Sequence, residues 1–204
     1  MKDETFDTWN KIAEIYQEKF MDLKIYDESY LEFCELIKVE KAKVLDVGYG
    51  PGNITRRLLS FRSDLEILGI DYSPNMIELA TKNNPLANFK TMDCKKISEF
   101  KTSFDAIICG FCLPYLTPAD CNKLIEDSSN LLSSKGILYL SFVEGEPEKS
   151  AYQVGSNGNR IYFNFHLLID VSNYLLANNF SILFKYEIDY QNKEKHTVLI
   201  SRLN

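Results

Sequence analysis

No stretch of the sequence approaches the ~20 consecutive apolar residues that a membrane-spanning helix needs. The leading segment MKDETFDTWN is polar and acidic and lacks the apolar core of a signal peptide. A cytoplasmic protein without a membrane partner is therefore expected. Clustered basic charge is missing too: the formal net charge is −6, and Arg56-Arg57 and Lys95-Lys96 are the only basic neighbours. Tight binding to a nucleic-acid backbone relies on clustered lysine and arginine that release counterions, so nucleic acid is an unattractive partner. Five cysteines, odd in number and irregular in spacing, do not make a disulfide framework and read as reduced, mostly buried thiols. Repeats, low-complexity segments and linkers rich in proline, glycine or serine are absent as well. One domain spanning residues 1–204, with ordinary globular composition (45% hydrophobic, 25% charged), is the expectation.

Glycine is also scarce, 9 in the chain, yet three fall within five positions of KVLDVGYGPGN, Lys43 to Asn53. A turn between two elements needs one glycine or two. A third suggests that something approaches the backbone. Around this turn the pattern alternates. Apolar residues Phe6, Trp9, Ile12, Ala13, Tyr16 and Phe20, then Tyr30, Phe33, Cys34 and Ile37, fall at helical spacing, which predicts two amphipathic helices in a cap over residues 1–40. Strands are predicted at Lys43–Val47, LEILGID, NFKTMDC, FDAIICG and ILYLSFV, with helices between them; Ser73-Pro74 and Thr117-Pro118 are helix starts. A polar stretch over residues 144–163 reads as a loop or hairpin that could act as a lid. A last helix at about 164–177 precedes FSILFKYEIDY and HTVLISRL, a hairpin joined through QNKEK. The alternation implies an α/β, doubly wound, mostly parallel sheet, whose ligands bind beyond the carboxyl ends of the strands.

The glycine turn does not match a dinucleotide fingerprint, because the position for its third glycine is Asn53. It reads instead as D-x-G-x-G-x-G: Asp46, Gly48, Gly50, Gly52. A carboxylate so close to the turn repels phosphate and tolerates an ammonium or sulfonium, which suits a zwitterion. Asp71, ending the second strand, can accept both hydroxyls of a ribose, and Asp93, after the third, can accept from an adenine amino group.

In order along the chain, VLDVGYGPG, ILGIDYSPNMIELA, FKTMDCKKI and FDAIICGFCLPYL resemble the first four motifs of the class I S-adenosylmethionine-dependent methyltransferases. TWNKIAEIYQEKF resembles the amino-terminal cap of that family's small-molecule members. The resemblance implies a Rossmann-like, seven-stranded sheet with a carboxy-terminal antiparallel hairpin. It implies S-adenosyl-L-methionine as cofactor and in-line methyl transfer to a small-molecule acceptor. Gly48 and Gly50 would lie against the methionine and ribose portions, with Asp46 anchoring the turn and the amino group. Asp71 would hold the ribose diol, with Tyr72 and Met76 against the adenine. Asp93 and the Cys94 backbone would read the adenine edge, the backbone near Cys109 would accept from the ammonium, and Tyr16 would be a cap contact. Tyr49 stands where the family often has cysteine, which should alter packing above the cofactor.

A base for an oxygen or nitrogen acceptor is not singled out; His166, Tyr16 and Tyr115 are candidates, and His196 is expected at the surface. Cys112-Leu113-Pro114-Tyr115 lacks the first polar acceptor that base-modifying amino methyltransferases carry there. Alternatives are a cofactor-binding protein without turnover and a dithiol oxidoreductase using Cys109 and Cys112. A zinc site from Cys94, Cys109, Cys112 and Cys121 is disfavoured by irregular spacing, so no metal is expected.

Overall fold

The computed structural model describes residues 4–155, 158–191 and 194–204. The tip of the expected lid (156–157), part of the QNKEK turn (192–193) and the first three residues lie outside them. Helices α1 (Glu4–Lys11), α2 (Ala13–Phe20) and α3 (Asp27–Leu36) precede strand β1 (Lys43–Val47). Then follow α4 (Asn53–Phe61), β2 (Glu66–Asp71), α5 (Pro74–Asn83), β3 (Asn88–Thr91), β4 (Phe104–Gly110), α6 (Pro118–Leu131) and β5 (Leu132–Val143). The chain continues through β6 (Ala151–Val154), β7 (Arg160–Phe163), α7 (Leu168–Ala177), β8 (Phe180–Tyr190) and β9 (Glu194–Leu203).

Seven strands form one sheet in the order β3-β2-β1-β4-β5-β9-β8, and β6 and β7 form a separate hairpin. β1 to β5 run parallel, whereas β9 is antiparallel to β5 and to β8. Both faces of the parallel strands are buried because alternate residues serve two layers. Val44, Ile67, Ile108 and Tyr139 meet side chains of α3 and α4, while Leu45, Ile107, Leu138 and Leu140 pack with those of α6 and α7. The order reverses between β1 and β4, so a crevice opens above their carboxyl ends.

The expected helix starts are built as read. The Ser73 side chain accepts from the Met76 N–H at 3.3 Å, and Thr117 accepts from the Asp120 N–H at 3.1 Å. Other boundaries move. The first predicted helix divides at Ile12, because its halves are tied to different partners: Thr8 Oγ1 donates to Arg160 O at 2.8 Å, and Gln17 Oε1 accepts from Asn83 Nδ2 at 2.7 Å. The last helix begins at Leu168 rather than 164, since the Asn164 N–H and side-chain amide both donate to Pro114 O, at 2.7 and 3.1 Å, and hold that segment extended. β5 starts at Leu132, earlier than predicted, through an irregular pairing with β4.

Gly69 shows how tightly β2 is built: an added Cβ would stand 2.6 Å from the Tyr49 ring and 2.7 Å from the Phe89 ring. Neither ring can retreat, as they pack on each other at 4.7 Å between centroids. Gly69→Ala is expected to cost about 1–3 kcal/mol, seen as a lower urea midpoint at unchanged slope.

Candidate functional site

β1 ends in a bend that only glycine adopts cheaply: Gly48, Gly50 and Gly52 have φ of +70°, +56° and +81°. Two bonds tie the bend to β2. The Gly48 N–H donates to Ile70 O at 2.8 Å, and the Gly50 N–H donates to Asp71 Oδ2 at 3.1 Å. Asp71 Oδ1 accepts the Ser73 N–H at 2.9 Å. A carboxylate has about four lone-pair sites, so Asp71 keeps acceptor capacity toward the cavity it lines. Burial pushes its pKa up, opposed by these backbone N–H groups.

A cavity sits above the bend. Gly48, Gly50, Asp71, Tyr72, Met76, Asp93, Cys94, Tyr16 and Tyr115 all border it, so most of the residues singled out in sequence converge. Asp93 is held by the Lys95 N–H at 2.9 Å, capping a short 3-10 turn over Cys94–Glu99. Tyr16 stands over the bend, 3.6 Å from where a Gly50 Cβ would be, and burial with the nearby Asp71 charge pushes its hydroxyl up to about 12. Trp9, unassigned in the sequence reading, bridges Tyr16 and Tyr115 edge-on at 5.4 and 5.2 Å between centroids. Its helical spacing from Tyr16 was the signal that could have found it. Phe111 and Cys112 also form the wall.

Asp46 lies beneath, fully buried. Oδ2 accepts from Thr55 Oγ1 at 2.7 Å and Oδ1 has no partner. Burial raises its pKa from the ordinary 3.8 to about 7, with the Thr55 bond opposing and the Asp71 charge assisting. Asp46, expected to contact the cofactor's amino group, borders neither cavity: burial beneath the bend leaves it holding the turn from below.

Two expectations, for Tyr49 and His166, are corrected. Tyr49 does not pack above the cavity; its ring turns under the bend against Gly69 and Phe89, where the missing Cβ leaves room. The Cys109 side chain is buried in the core, while the chain just after it, at Gly110, borders the cavity. His166 borders neither cavity, because its Nε2 is taken by Leu113 O at 2.9 Å and burial lowers its pKa. The Cys109 and Cys112 thiols are buried and shifted upward, for Cys109 mainly by desolvation and for Cys112 first by the neighbouring Cys109 thiol. That works against a thiolate nucleophile. No group of metal-binding side chains occurs among the described residues.

A second cavity adjoins the first and shares Trp9, Tyr16, Gly48, Gly110, Phe111 and Tyr115 with it. Residues of α2, of β6 and β7, and Tyr190, Gln191 and Glu194 line it. His196, expected at the surface, is 6% exposed and borders this cavity.

The sheet order, the acid-glycine bend and the cavity at the switch point define a class I methyltransferase fold. Residues 44–136, a little under half of the chain, match the family model described as "Methyltransferase domain". It is 30% identical over 105 residues to the demethylmenaquinone methyltransferase of Thermotoga maritima, covering 52% of this chain and 45% of the relative. It is 26% identical over 191 residues to the tRNA N(3)-methylcytidine methyltransferase trm140 of Schizosaccharomyces pombe, covering 80% and 60%. The chain thus spans about half the length of some curated relatives. The solved magnesium protoporphyrin IX methyltransferase of Synechocystis, with bound S-adenosylmethionine, superposes with a TM-score of 0.71 at 15% identity, covering 100% of this chain and 99% of that one. No helix among the described residues is long and apolar enough to cross a membrane.

The raised pKa of Asp46 has a sign. Between 3.8 and about 7 the native chain holds a proton that the unfolded chain has released, so this group lowers stability as pH rises through that window. Asp71 acts in the same direction. The melting temperature of Asp46→Asn should therefore gain on the parent from about pH 4 to about pH 8, and a constant difference would contradict it.

Proposed function

We propose that the first cavity binds S-adenosyl-L-methionine and that its methyl group passes to a small-molecule acceptor in the second. The observation that carries this reading is that Asp71 and Asp93 border one cavity above a glycine bend, with Asp46 buried beneath that bend. Bound there, the cofactor supplies a methyl group made electrophilic by its sulfonium. The chain's own work is alignment and exclusion of water. Asp71 would accept the ribose hydroxyls, Asp46 would anchor the bend from beneath, and Asp93 with the Cys94 backbone would read the adenine. Tyr72 and Met76 would flank the base. Trp9, Tyr16 and Tyr115 would close the site against solvent, beneath a lid formed by the β6–β7 hairpin.

A small acceptor is favoured by enclosure and by charge. The second cavity lies under α2 and the hairpin, and the net charge of −6 gives a polynucleotide little to hold. All five cysteines are unpaired, which fits a reducing compartment, and we place the protein in the cytoplasm.

The test is calorimetric titration with S-adenosylmethionine and S-adenosylhomocysteine. The parent should saturate at one site, and Asp71→Ala should bind at least about tenfold more weakly, a loss of roughly 1.4 kcal/mol. Equal affinity in the two proteins would remove Asp71 from the site.

A further inference from the structure

The second cavity holds an arrangement that the cofactor motifs do not explain. Tyr26, just before α3, and His196, on β9, meet in its wall at 6% exposure each. The Tyr26 hydroxyl bonds to His196 Nδ1, and the two rings lie nearly parallel, 10° apart. On the other side of the imidazole, Nε2 stands 3.4 Å from Glu194 Oε2. A carboxylate only accepts, so Nε2 carries the hydrogen, Nδ1 is the acceptor and the Tyr26 hydroxyl donates. The order Tyr–His–Glu has the logic of a nucleophile, base and orienting acid, with a phenol facing the cavity.

We propose that Tyr26, His196 and Glu194 form a proton relay that ionises a phenol-type hydroxyl on a flat aromatic acceptor bound in the second cavity. The proposal rests on the methyl-transfer reading for the identity of the electrophile. The acceptor hydroxyl gives its proton to Tyr26 Oη as the Tyr26 proton moves to His196 Nδ1. The acceptor oxygen then forms a bond to the methyl carbon, and the electron pair of the breaking carbon–sulfur bond returns to sulfur. One proton is left on the imidazole ring, where Glu194 balances its charge.

The walls favour a flat ring. Phe111 meets His196 and Tyr26 at 4.8 and 5.2 Å between centroids, and Tyr190 stacks on His196 at 4.9 Å. Phe111 sits at φ +55°, a conformation costly for a bulky residue, and its N–H is held by Ser141 Oγ at 3.0 Å. That backbone sets an aromatic ring between the two cavities, since Phe111 borders both. Of the cations in the wall, Arg57 Nε donates to Asp27 at 2.8 Å, and Lys19 Nζ lies 4.9 Å from the centre of the Phe20 ring.

The groups facing the imidazole are Tyr26 before α3, Tyr190 on β8 and Glu194 on β9; Phe111 after β4 adds no charge, nor does Val143, its partner on β5. Burial lowers the His196 pKa and Glu194 raises it.

Umbelliferone is a suitable probe, because its phenolate fluoresces and its hydroxyl is weakly acidic. The full chain is titrated with it across pH, with and without S-adenosylhomocysteine. Saturable binding is expected, with the bound hydroxyl ionising at least one pH unit lower than in water, about tenfold more phenolate at a given pH. Tyr26→Phe and His196→Gln should still bind umbelliferone and lose that shift. With S-adenosylmethionine, Tyr26→Phe should lower kcat for methyl transfer at least about a hundredfold at nearly unchanged KM. Absence of saturable binding, or a shift that survives in both variants, overturns the proposal. Calorimetry with S-adenosylhomocysteine separates the two readings: if the parent binds umbelliferone with the shift but not the nucleoside, the cofactor assignment fails and the relay stands.

Discussion

The site depends on one clamp, the pair of bonds that fastens the glycine bend after β1 to the end of β2. The Gly48 N–H reaches Ile70 O and the Gly50 N–H reaches Asp71, so the carboxylate that borders the cavity also holds the bend in place. A Cβ at Gly48 would stand 3.2 Å from Cys112, and each of the three glycines has a left-handed φ. The bend can therefore lie close to β4 and to a ligand only while it stays bare. Asp46 beneath it carries a cost of burial that its hydrogen bonds only partly offset, with one oxygen unpaired. Such stored cost is common where binding is to be favoured.

The cover is built from different materials. α1 is stitched to the hairpin by Thr8 to Arg160 O and by the exposed Glu4–Arg160 pair at 2.8 Å. An ion pair so open to solvent is worth little by itself. The aromatic contacts of Trp9 with Tyr16 and Tyr115 add more, at about 0.5–1.5 kcal/mol per pair beyond buried area. Polar stitches set the position of the cover, and aromatic faces seal it. Both cavities share that seal, so their linings meet in one aromatic wall.

Much of the plan was legible in the chain because it rests on local rules. Strand–helix alternation and the caps at Ser73 and Thr117 follow from period and side-chain chemistry, and the left-handed glycines follow from their crowding before α4. Tyr49, His166 and His196 were misplaced for a common reason. Each assignment needed the direction of a side chain relative to elements far along the sequence. Tyr49 turns under the bend because Gly69, on the neighbouring strand, leaves space; His166 is captured by Leu113 O; His196 is covered by Tyr26 and Phe111 from other layers.

The sequence by itself determined the mostly parallel sheet and the acid-glycine bend, since these depend on residue type, spacing and allowed backbone angles within short windows. Tertiary structure alone decided which aromatics close the cavity and which histidine faces the second one. It also decided that Tyr26 and Glu194, distant in sequence, flank one imidazole. The physical reason is that burial and hydrogen-bond partnership are properties of the packed layers, and a strand's alternation says which face a residue takes but not what will cover it.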